Sequence, residues 1–513
     1  MNQLHFNHVT FTYPGLVDPL LADVSFVAPA GWTGVVGANG AGKSTLLALA
    51  TGTLAPQGGT ITRAEAVVTC EQRTDAPPPE LADLLCYPDA DAGRLASILG
   101  LEGDWPFRWE TLSHGERKRA QIAVALWRRP ELLVVDEPTN HLDREAKEQL
   151  ATALEEYRGV GLIVSHDRRL LDRLCRQCVF LEGGGEAVVR PGGVSSGLEQ
   201  RSRERLEQRR RYEQARDELR RVEAEAARRR EEASVQNRKR SKRSVRWRDS
   251  DAREKIDRAR ISGADGQAGR LLNQMDGRRT HAAERLAELG RPVSERVGVT
   301  VRGKRAKRDA LLRREAGTLA LPDGRGVALP ELVVAPDDRI ALQGPNGAGK
   351  TTLVRALLRE GGGAVESTVG MEPATELPSD VLWIPQEITA ERAATLAEEV
   401  RSLEHAALGR VISTVSRLGS DPEKLLQTER PSPGETRKLM LALGLEREPV
   451  LVVMDEPTNH LDLASMQCLE TALADFAGAL LLVSHDDAFV AALARTLWVI
   501  SDGYLEAKPT PPA

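Results

Sequence analysis

Two loops in this chain carry glycine, lysine and a hydroxyl at the spacing a phosphate cradle needs. GANGAGKS (Gly37–Ser44) and GPNGAGKT (Gly344–Thr351) both read G-x-x-x-x-G-K-[ST]. Glycines there let backbone N–H groups close around phosphate oxygens, and the helix that follows adds partial positive charge. Lys43 and Lys350 are expected to reach the β- and γ-phosphates, and Ser44 and Thr351 to ligate Mg²⁺. Asn39, Gly40, Gly42 and Thr45 complete the first cradle; Asn346, Gly347, Gly349 and Thr352 complete the second. The octapeptide DEPTNHLD also occurs twice, at Asp136–Asp143 and Asp455–Asp462, each time after an apolar run. Asp136 and Asp455 are placed to hold Mg²⁺, and Glu137 and Glu456 to polarise an attacking water. Adjacent carboxylates at a buried strand end are costly unless a cation or substrate uses them.

Further groups follow in the same order in each half. His166 and His485, in VSHD after apolar runs, are candidates to touch the γ-phosphate. Gln72 and Gln386, between cradle and acidic strand, are candidate Mg²⁺ ligands that sense the γ-phosphate. SHGE (Ser113–Glu116) and SPGE (Ser432–Glu435) precede helical runs. Ser113 with Gly115, and Ser432 with Gly434, each offer an anion-binding helix start. Because the local cradle already supplies one such end, these are expected to face another nucleotide. The step between copies is 319 residues for Ser113/Ser432, Asp136/Asp455 and His166/His485, so the repeat carries chemistry and not only packing.

The elements that must hold these groups read as α/β in both halves: short β-branched runs, glycine turns, then helical patterns. The expected organisation is a first nucleotide-binding domain over 1–195, a linker over 196–296 and a second nucleotide-binding domain over 297–513. Between Pro191 and Pro292 lie 100 proline-free residues rich in Arg, Glu, Ala and Gln, which favour helix. The reading is a long helical hairpin: one helix over about 198–234, a tip over 235–269 broken by the glycines of SGADGQAG, and a return helix over 270–290.

At 513 residues the chain has room for two or three cores. No stretch approaches 18 apolar residues and no secretory signal is evident, so a transmembrane span and export are not expected. Five cysteines do not make a disulfide framework, and a reducing cytoplasm fits. Cys175 and Cys178 form a C-x-x-C with no partner ligands evident, read as a pair on a helix near a surface rather than a zinc site. The net charge of −5 hides an asymmetry: residues 201–290 hold 27 Lys+Arg against 17 Asp+Glu, a net of +10, which leaves −15 for the rest. A basic insert on an acidic body points to a polyanionic partner. The cluster Arg238, Lys239, Arg240, Lys242, Arg243, Arg246, Trp247 and Arg248, with Arg258 and Arg260 beyond it, offers phosphate contacts and an aromatic for stacking on bases. A second basic run over 302–314 either extends this patch or forms an exposed loop.

Cradle, glutamine, Ser-x-Gly-Glu, Asp-Glu and His, in order and twice, resemble the ATP-binding cassette family. Two cassettes in one chain, no membrane domain, a charged helical linker and PTNHLD resemble its ABC-F subfamily of ribosome-associated ATPases. The resemblance implies tandem P-loop cassettes that close head-to-tail, within one monomeric chain, on two ATP molecules. One site would pair the Gly37–Ser44 loop, Asp136, Glu137 and His166 with Ser432 and Gly434. The other would pair the Gly344–Thr351 loop, Asp455, Glu456 and His485 with Ser113 and Gly115. It further implies ATP hydrolysis to ADP and phosphate, binding to the large-subunit ribosomal RNA and transfer RNA near the P site, and a linker reaching toward the peptidyl-transferase centre. Only 40 residues separate Gln72 from Ser113, leaving little room for the extra arm of housekeeping members. With the long tip, this resembles the antibiotic-resistance group. The alternatives are a general translation factor, the ATPase subunit of a drug exporter, and a purely structural RNA-binding protein.

Three features depart from the family pattern. His114 stands where glycine is common. Pro431 and Pro433 flank Ser432 and are expected to restrict that loop. Tyr13 is placed to stack on the first adenine, whereas the stretch near Leu319–Leu321 has no aromatic, so looser selection of the second base is expected.

Overall fold

The computed structural model describes residues 3–86, 89–140, 142–239, 264–290, 303–360, 380–420, 425, 431–459 and 461–510. It divides into two compact units: Met1–Gly197 with Arg296–Ala513, and Leu198–Glu295.

In the first half of the larger unit, strands β1 (Gln3–Phe11), β2 (Leu21–Pro29) and β4 (Gly58–Thr62) form an antiparallel sheet in the order β2-β1-β4. A second sheet runs β5 (Val67–Cys70), β6 (Leu132–Asp136), β7 (Val160–Val164), β3 (Gly31–Gly37), β8 (Cys175–Leu181), β9 (Ala187–Pro191). It is parallel except for β9. All five residues of β7 and the first four of β6 are buried, as expected of parallel strands covered on both faces. Helix α1 (Lys43–Thr51) leaves the P-loop end of β3. Helices α2 (Leu81–Cys86), α3 (Ala90–Ile98) and α4 (His114–Trp127) occupy the stretch before β6, and α5 (Arg144–Glu155) and α6 (Arg168–Leu174) follow β6 and β7.

The second half repeats the plan. Strands β10 (Leu312–Arg314) and β13 (Leu332–Val334) pair antiparallel. The large sheet runs β11 (Gly317–Ala320), β12 (Gly326–Leu329), β19 (Tyr504–Pro509), β18 (Thr496–Ser501), β14 (Arg339–Gln343), β17 (Ala479–Val483), β16 (Leu451–Asp455), β15 (Val381–Ile384). The central strand that feeds the P-loop is β14, flanked by β17 and β18, as β3 is flanked by β7 and β8. The smaller unit precedes this half in the chain and carries helices α7 (Val194–Lys239) and α8 (Ala264–Glu288). The remaining helices here are α9 (Lys350–Glu360), α10 (Ala390–Arg401), α11 (His405–Arg417), α12 (Pro433–Leu445), α13 (Leu463–Ala474) and α14 (Asp487–Leu493). Each half buries its own core, Val35, Leu46 and Leu162 in the first, Leu342, Leu353 and Leu481 in the second.

Most of the smaller unit is two helices, α7 (Val194–Lys239), whose first turn lies in the larger unit, and α8 (Ala264–Glu288). Val222 and Ala226 of α7 bury Met275 of α8, and Arg230 pairs with Asp276 at 2.6 Å. At 46 residues α7 is about 70 Å long. It runs past both ends of the helix expected over 198–234. The return helix begins at Ala264, not near 270, and passes through Gly266 and Gly269. Glycine inside a helix costs only about 1 kcal/mol relative to alanine, and the surrounding alanine, glutamine, arginine and leucine outweigh it. Of the candidate RNA-contacting residues, Arg238 and Lys239 lie in the last turn of α7. Arg240, Lys242, Arg243, Arg246, Trp247, Arg248, Arg258 and Arg260 lie outside the described residues.

Candidate functional site

Both P-loops leave a buried strand and are tightly packed at their last glycine. Gly42 and Gly349 adopt φ of 95° and 93°, and a Cβ on either would press on leucine: Leu20 and Leu21 at 3.2 Å in the first half, Leu321 more closely in the second. Lys43 Nζ donates to the carbonyls of Gly37 (2.9 Å) and Ala38 (3.0 Å). Lys350 Nζ donates to those of Gly344 (2.8 Å) and Pro345 (2.9 Å). The lysine is therefore held in the same way in both loops despite the proline in the second.

A cavity of about 810 Å³ gathers the first set of groups. Asn39, Gly40, Gly42, Lys43, Ser44 and Thr45 line it from the P-loop; Gln72, Asp136, Glu137 and His166 line it from the strand ends. Ser432 and Gly434, from the opposite half, close it. A second cavity of about 560 Å³ repeats the arrangement. There Asn346, Gly347, Gly349, Lys350, Thr351, Thr352, Gln386, Asp455, Glu456 and His485 meet Ser113 and Gly115 of the first half. Gly37 and Gly344 anchor the loop bases, outside the lining of either cavity.

The strand ends hold their carboxylates under strain. Glu137 and Glu456 both take left-handed backbone conformations, φ 45° and 47°, which non-glycine residues seldom adopt. Their N–H groups still bond the neighbouring strand, at Val164 O (2.9 Å) and Val483 O (2.8 Å), so each side chain turns off the sheet into its cavity. Burial, reinforced by Asp136, pushes the Glu137 carboxyl up to about 8. Burial with Asp455 pushes Glu456 up to about 7. Glu137 Oε2 and Glu456 Oε1 are buried without a hydrogen-bond partner. His166 Nε2 lies 3.1 Å from Glu137 Oε1, and His485 Nε2 lies 3.6 Å from Glu456 Oε1. Burial, then Lys350 and Lys147, lower the His485 imidazole to about 4, so it is neutral.

The donor set fits a hard divalent cation. Thr351 Oγ1 donates to Asp455 Oδ2 at 2.7 Å, which puts a hydroxyl and a carboxylate side by side at the phosphate end of the second cavity. Ser44 and Asp136 line the corresponding end of the first. Hydroxyl, carboxylate and the amide oxygens of Gln72 and Gln386 are oxygen ligands of the kind Mg²⁺ takes while keeping waters. Orphaned carboxylate oxygens beside the half-buried P-loop lysines suit a site completed by a phosphorylated ligand and its cation.

Each Ser-x-Gly-Glu motif starts a helix through a capping box. Ser113 Oγ accepts from Glu116 N, and Glu116 returns a bond to Ser113 N at 2.7 Å. Ser432 and Glu435 do the same. Ser113 and Ser432 have nearly identical backbone angles, φ −62° with ψ 158° and 159°. Pro431 and Pro433 leave the start of the second helix in the same conformation as the first: Pro433 takes the first helical position, where its fixed φ suits the helix.

Several residues of the site were not singled out in the sequence. Asp143 and Asp462, the last residues of the two octapeptides, reach across to the opposite P-loop: Asn346 N–H donates to Asp143 Oδ2 (3.2 Å) and Asn39 N–H to Asp462 Oδ2 (2.9 Å). Lys118 is 2% exposed and donates to the carbonyls of Glu71 and Asp136. Arg437, 319 residues on, ties Glu456 O, Asn459 O, Pro385 O and Gln386 O. Both side chains fasten the glutamine segment to the acidic strand. The repeat step was the signal that could have found this pair. Lys438 lines the first cavity and Lys147 the second.

The comparisons with known proteins agree with this geometry. The family model described as ABC transporter matches residues 21–140 and 330–459. The chain is 30% identical to the ribosome protection protein VmlR of Bacillus subtilis (strain 168), over 92% of this chain and 82% of that one. It is 32% identical to the tylosin resistance ATP-binding protein TlrC of Streptomyces fradiae, over 94% and 95% of the two chains. This chain belongs to the ABC-F subfamily of ATP-binding cassette proteins. Among solved structures, an archaeal ribosome recycling factor, aABCE1, crystallised with the ribosomal stalk protein aP1, shares the tandem-cassette fold. Its TM-score is 0.61 at 20% identity, covering 98% of this chain and 89% of that one.

Within this ABC-F chain the two base ends differ. Tyr13 stands edge-on to Phe11 and its hydroxyl lies 3.1 Å from Thr45 Oγ1, beside the P-loop helix rather than in the cavity lining. The second cassette has Leu321, Pro322 and Asp323 at its cavity wall and no aromatic there. Cys175 and Cys178 lie on strand β8, not on a helix, and both are buried. An irregularity in the β3–β8 register after Cys175 turns both sulfurs toward Gly34, where a Cβ would meet Cys178 Sγ at 2.9 Å and Cys175 Sγ at 3.2 Å. Among the described residues no cluster of three or more His, Cys, Asp or Glu forms around them.

Proposed function

We propose that the chain hydrolyses ATP to ADP and phosphate at two composite sites. The observation that carries this reading is the pairing, in each cavity, of one cassette's P-loop lysine and Asp-Glu strand end with the other cassette's Ser-x-Gly-Glu helix start. Lys43 and Lys350 hold the β- and γ-phosphates. Ser44, Gln72 and Asp136, and likewise Thr351, Gln386 and Asp455, are the residues that would hold Mg²⁺. Held there, Mg²⁺ would supply positive charge to offset the charge that develops on the phosphates. Glu137 or Glu456 accepts a proton as water attacks the γ-phosphorus and the bond to the β-phosphate oxygen breaks. His166 and His485, within reach of those carboxylates, orient the attacked phosphoryl group. The Ser113 and Ser432 helix starts present N–H groups from the opposite side, so both nucleotides are enclosed only when the cassettes are together.

We further infer a cytoplasmic protein that binds the ribosome while ATP holds the cassettes closed, directs its basic hairpin toward the peptidyl-transferase centre and the transfer RNA near the P site, and protects translation from ribosome-targeting antibiotics. The net charge of +10 over 201–290 supports contact with RNA phosphates, with the salt sensitivity such contacts bring. Similarity to a ribosome protection protein and a tylosin resistance protein supports the protective role. No helix among the described residues is long and apolar enough to cross a membrane. The basic hairpin has no task in an exporter subunit.

The test uses the double substitution Glu137→Gln/Glu456→Gln, sedimented with purified ribosomes with and without ATP. ATP-dependent co-sedimentation is expected, followed by rescue of in vitro translation from drugs of the peptidyl-transferase centre and exit tunnel. Binding without rescue from any drug points to a general translation factor. Absence of binding under every nucleotide condition overturns the ribosomal reading. Removing residues 235–269 should abolish rescue and leave ATP turnover intact.

A further inference from the structure

The second cavity contains a cation that its P-loop does not supply. Lys147 belongs to the first cassette, in the first turn of α5, yet lines the cavity that holds Lys350, Glu456 and His485 of the second. Positive charge there is locally unfavourable, because a helix N-terminus favours anions. Its counterpart, 319 residues on, is Met466 in the first turn of α13, 1% exposed in the core and absent from the first cavity. The lysine is thus not a packing requirement of this helix position.

Its environment keeps it charged and aimed. Asp167, which follows His166, caps α6 with one carboxylate oxygen (Leu170 N, 3.1 Å) and meets Lys147 Nζ with the other at 3.0 Å. Burial opposes the ammonium, but Asp167, Asp486 and Glu456 around it raise its pKa above the ordinary lysine value. An ammonium has three donors, and Asp167 takes one. The others are left for an oxygen-rich group in the cavity.

We propose that Lys147 is a nucleotide-contacting residue of the second site, donating in trans to the terminal phosphate and so distinguishing a nucleoside triphosphate from a diphosphate. This rests on the ATP-site reading given above. The two sites then take a lysine from the opposite cassette at different positions: the second takes Lys147 from α5 of the first cassette, whereas the first has a buried methionine at that position and Lys438 of α12 in its lining. Because Asp167 holds the lysine and adjoins His166, the terminal phosphate of the second site draws on a residue next to the first.

The test uses the full chain with the first site disabled by Lys43→Ala, and fluorescent ATP and ADP analogues with Mg²⁺ as probes. Adding Lys147→Met should weaken triphosphate binding by about 10-fold or more, the scale of a lost hydrogen bond to a charged group, with diphosphate binding unchanged. Lys147→Arg should restore the triphosphate preference. The proposal is overturned if triphosphate binding is unchanged in Lys147→Met, or if triphosphate and diphosphate binding fall together. The Lys43→Ala/Lys350→Ala protein separates the two ideas. If it still binds triphosphate as Lys43→Ala does, the P-loop reading itself has failed.

Discussion

Asp462 of the second cassette accepts a hydrogen bond from the Asn39 backbone N–H of the first cassette's P-loop at 2.9 Å. Its other oxygen accepts from Ser465 N at 2.7 Å and so caps its own helix α13. Asp143 repeats the arrangement with Asn346 and Ala146. One carboxylate therefore starts a helix in its own cassette and braces the phosphate loop of the other.

These two roles separate by substitution. Asp462→Ser keeps a good N-cap but is too short to reach Asn39, so thermal stability should hold while ATP affinity at the first site falls. Asp462→Ala loses both, with a stability loss of about 0.5–2 kcal/mol. Thermal unfolding and nucleotide titration read the two effects; wild-type ATP affinity in Asp462→Ser would remove any role for the bridge.

The buried glutamates make the nucleotide-free protein less stable as pH rises. Both carboxyls are raised from the ordinary 4.5, to about 8 for Glu137 and about 7 for Glu456. The folded state then binds protons more tightly than the unfolded state, so this stability is present below pH 4.5 and lost as pH climbs through 7–8. The loss from each carboxyl spans the range from its ordinary value up to its raised folded-state value. Glu137→Gln/Glu456→Gln should therefore melt higher than wild type at pH 8, with the gap closing near pH 5. A pH-independent gap would contradict this assignment.

Lys118 and Arg437 fasten the same two segments with different numbers of bonds. Lys118→Met leaves two carbonyls without a donor and Arg437→Met leaves three, because Glu456 O still accepts from Asn459 N–H. Each orphaned buried acceptor costs about 1–3 kcal/mol, so Arg437→Met should lower the melting temperature more. Calorimetry of the two variants side by side decides it; equal losses would mean that water replaces the missing donors.

Thiol reactivity should follow burial. Cys86 is exposed and Cys468 part-buried, while Cys70, Cys175 and Cys178 are buried. Burial pushes the Cys70 thiol up to about 12, and a hydrogen bond to Cys178 together with burial raises Cys175 further. A disulfide reagent in native buffer should modify no more than two thiols rapidly and all five after unfolding. Rapid native modification of a third would show that β8 opens readily.

The chemistry was legible in the residues because phosphate cradles, acidic strand ends and helix-start serines are local devices: each needs only a few neighbours along the chain, and each occurs twice. Apolar runs such as Leu132–Asp136 and Leu451–Asp455 likewise announce buried parallel strands on their own. Single-residue rules failed at Gly266 and Gly269, where helix-forming neighbours outweigh two glycines inside α8, and at Cys175 and Cys178, which a strand rather than a helix carries. Only the tertiary structure decided that Asp462 meets Asn39 and that Lys147 lines the second cavity. These contacts join residues hundreds of positions apart, or depend on which face of a helix meets the other cassette. No spacing along one chain encodes them, because they arise only when two folded surfaces come together.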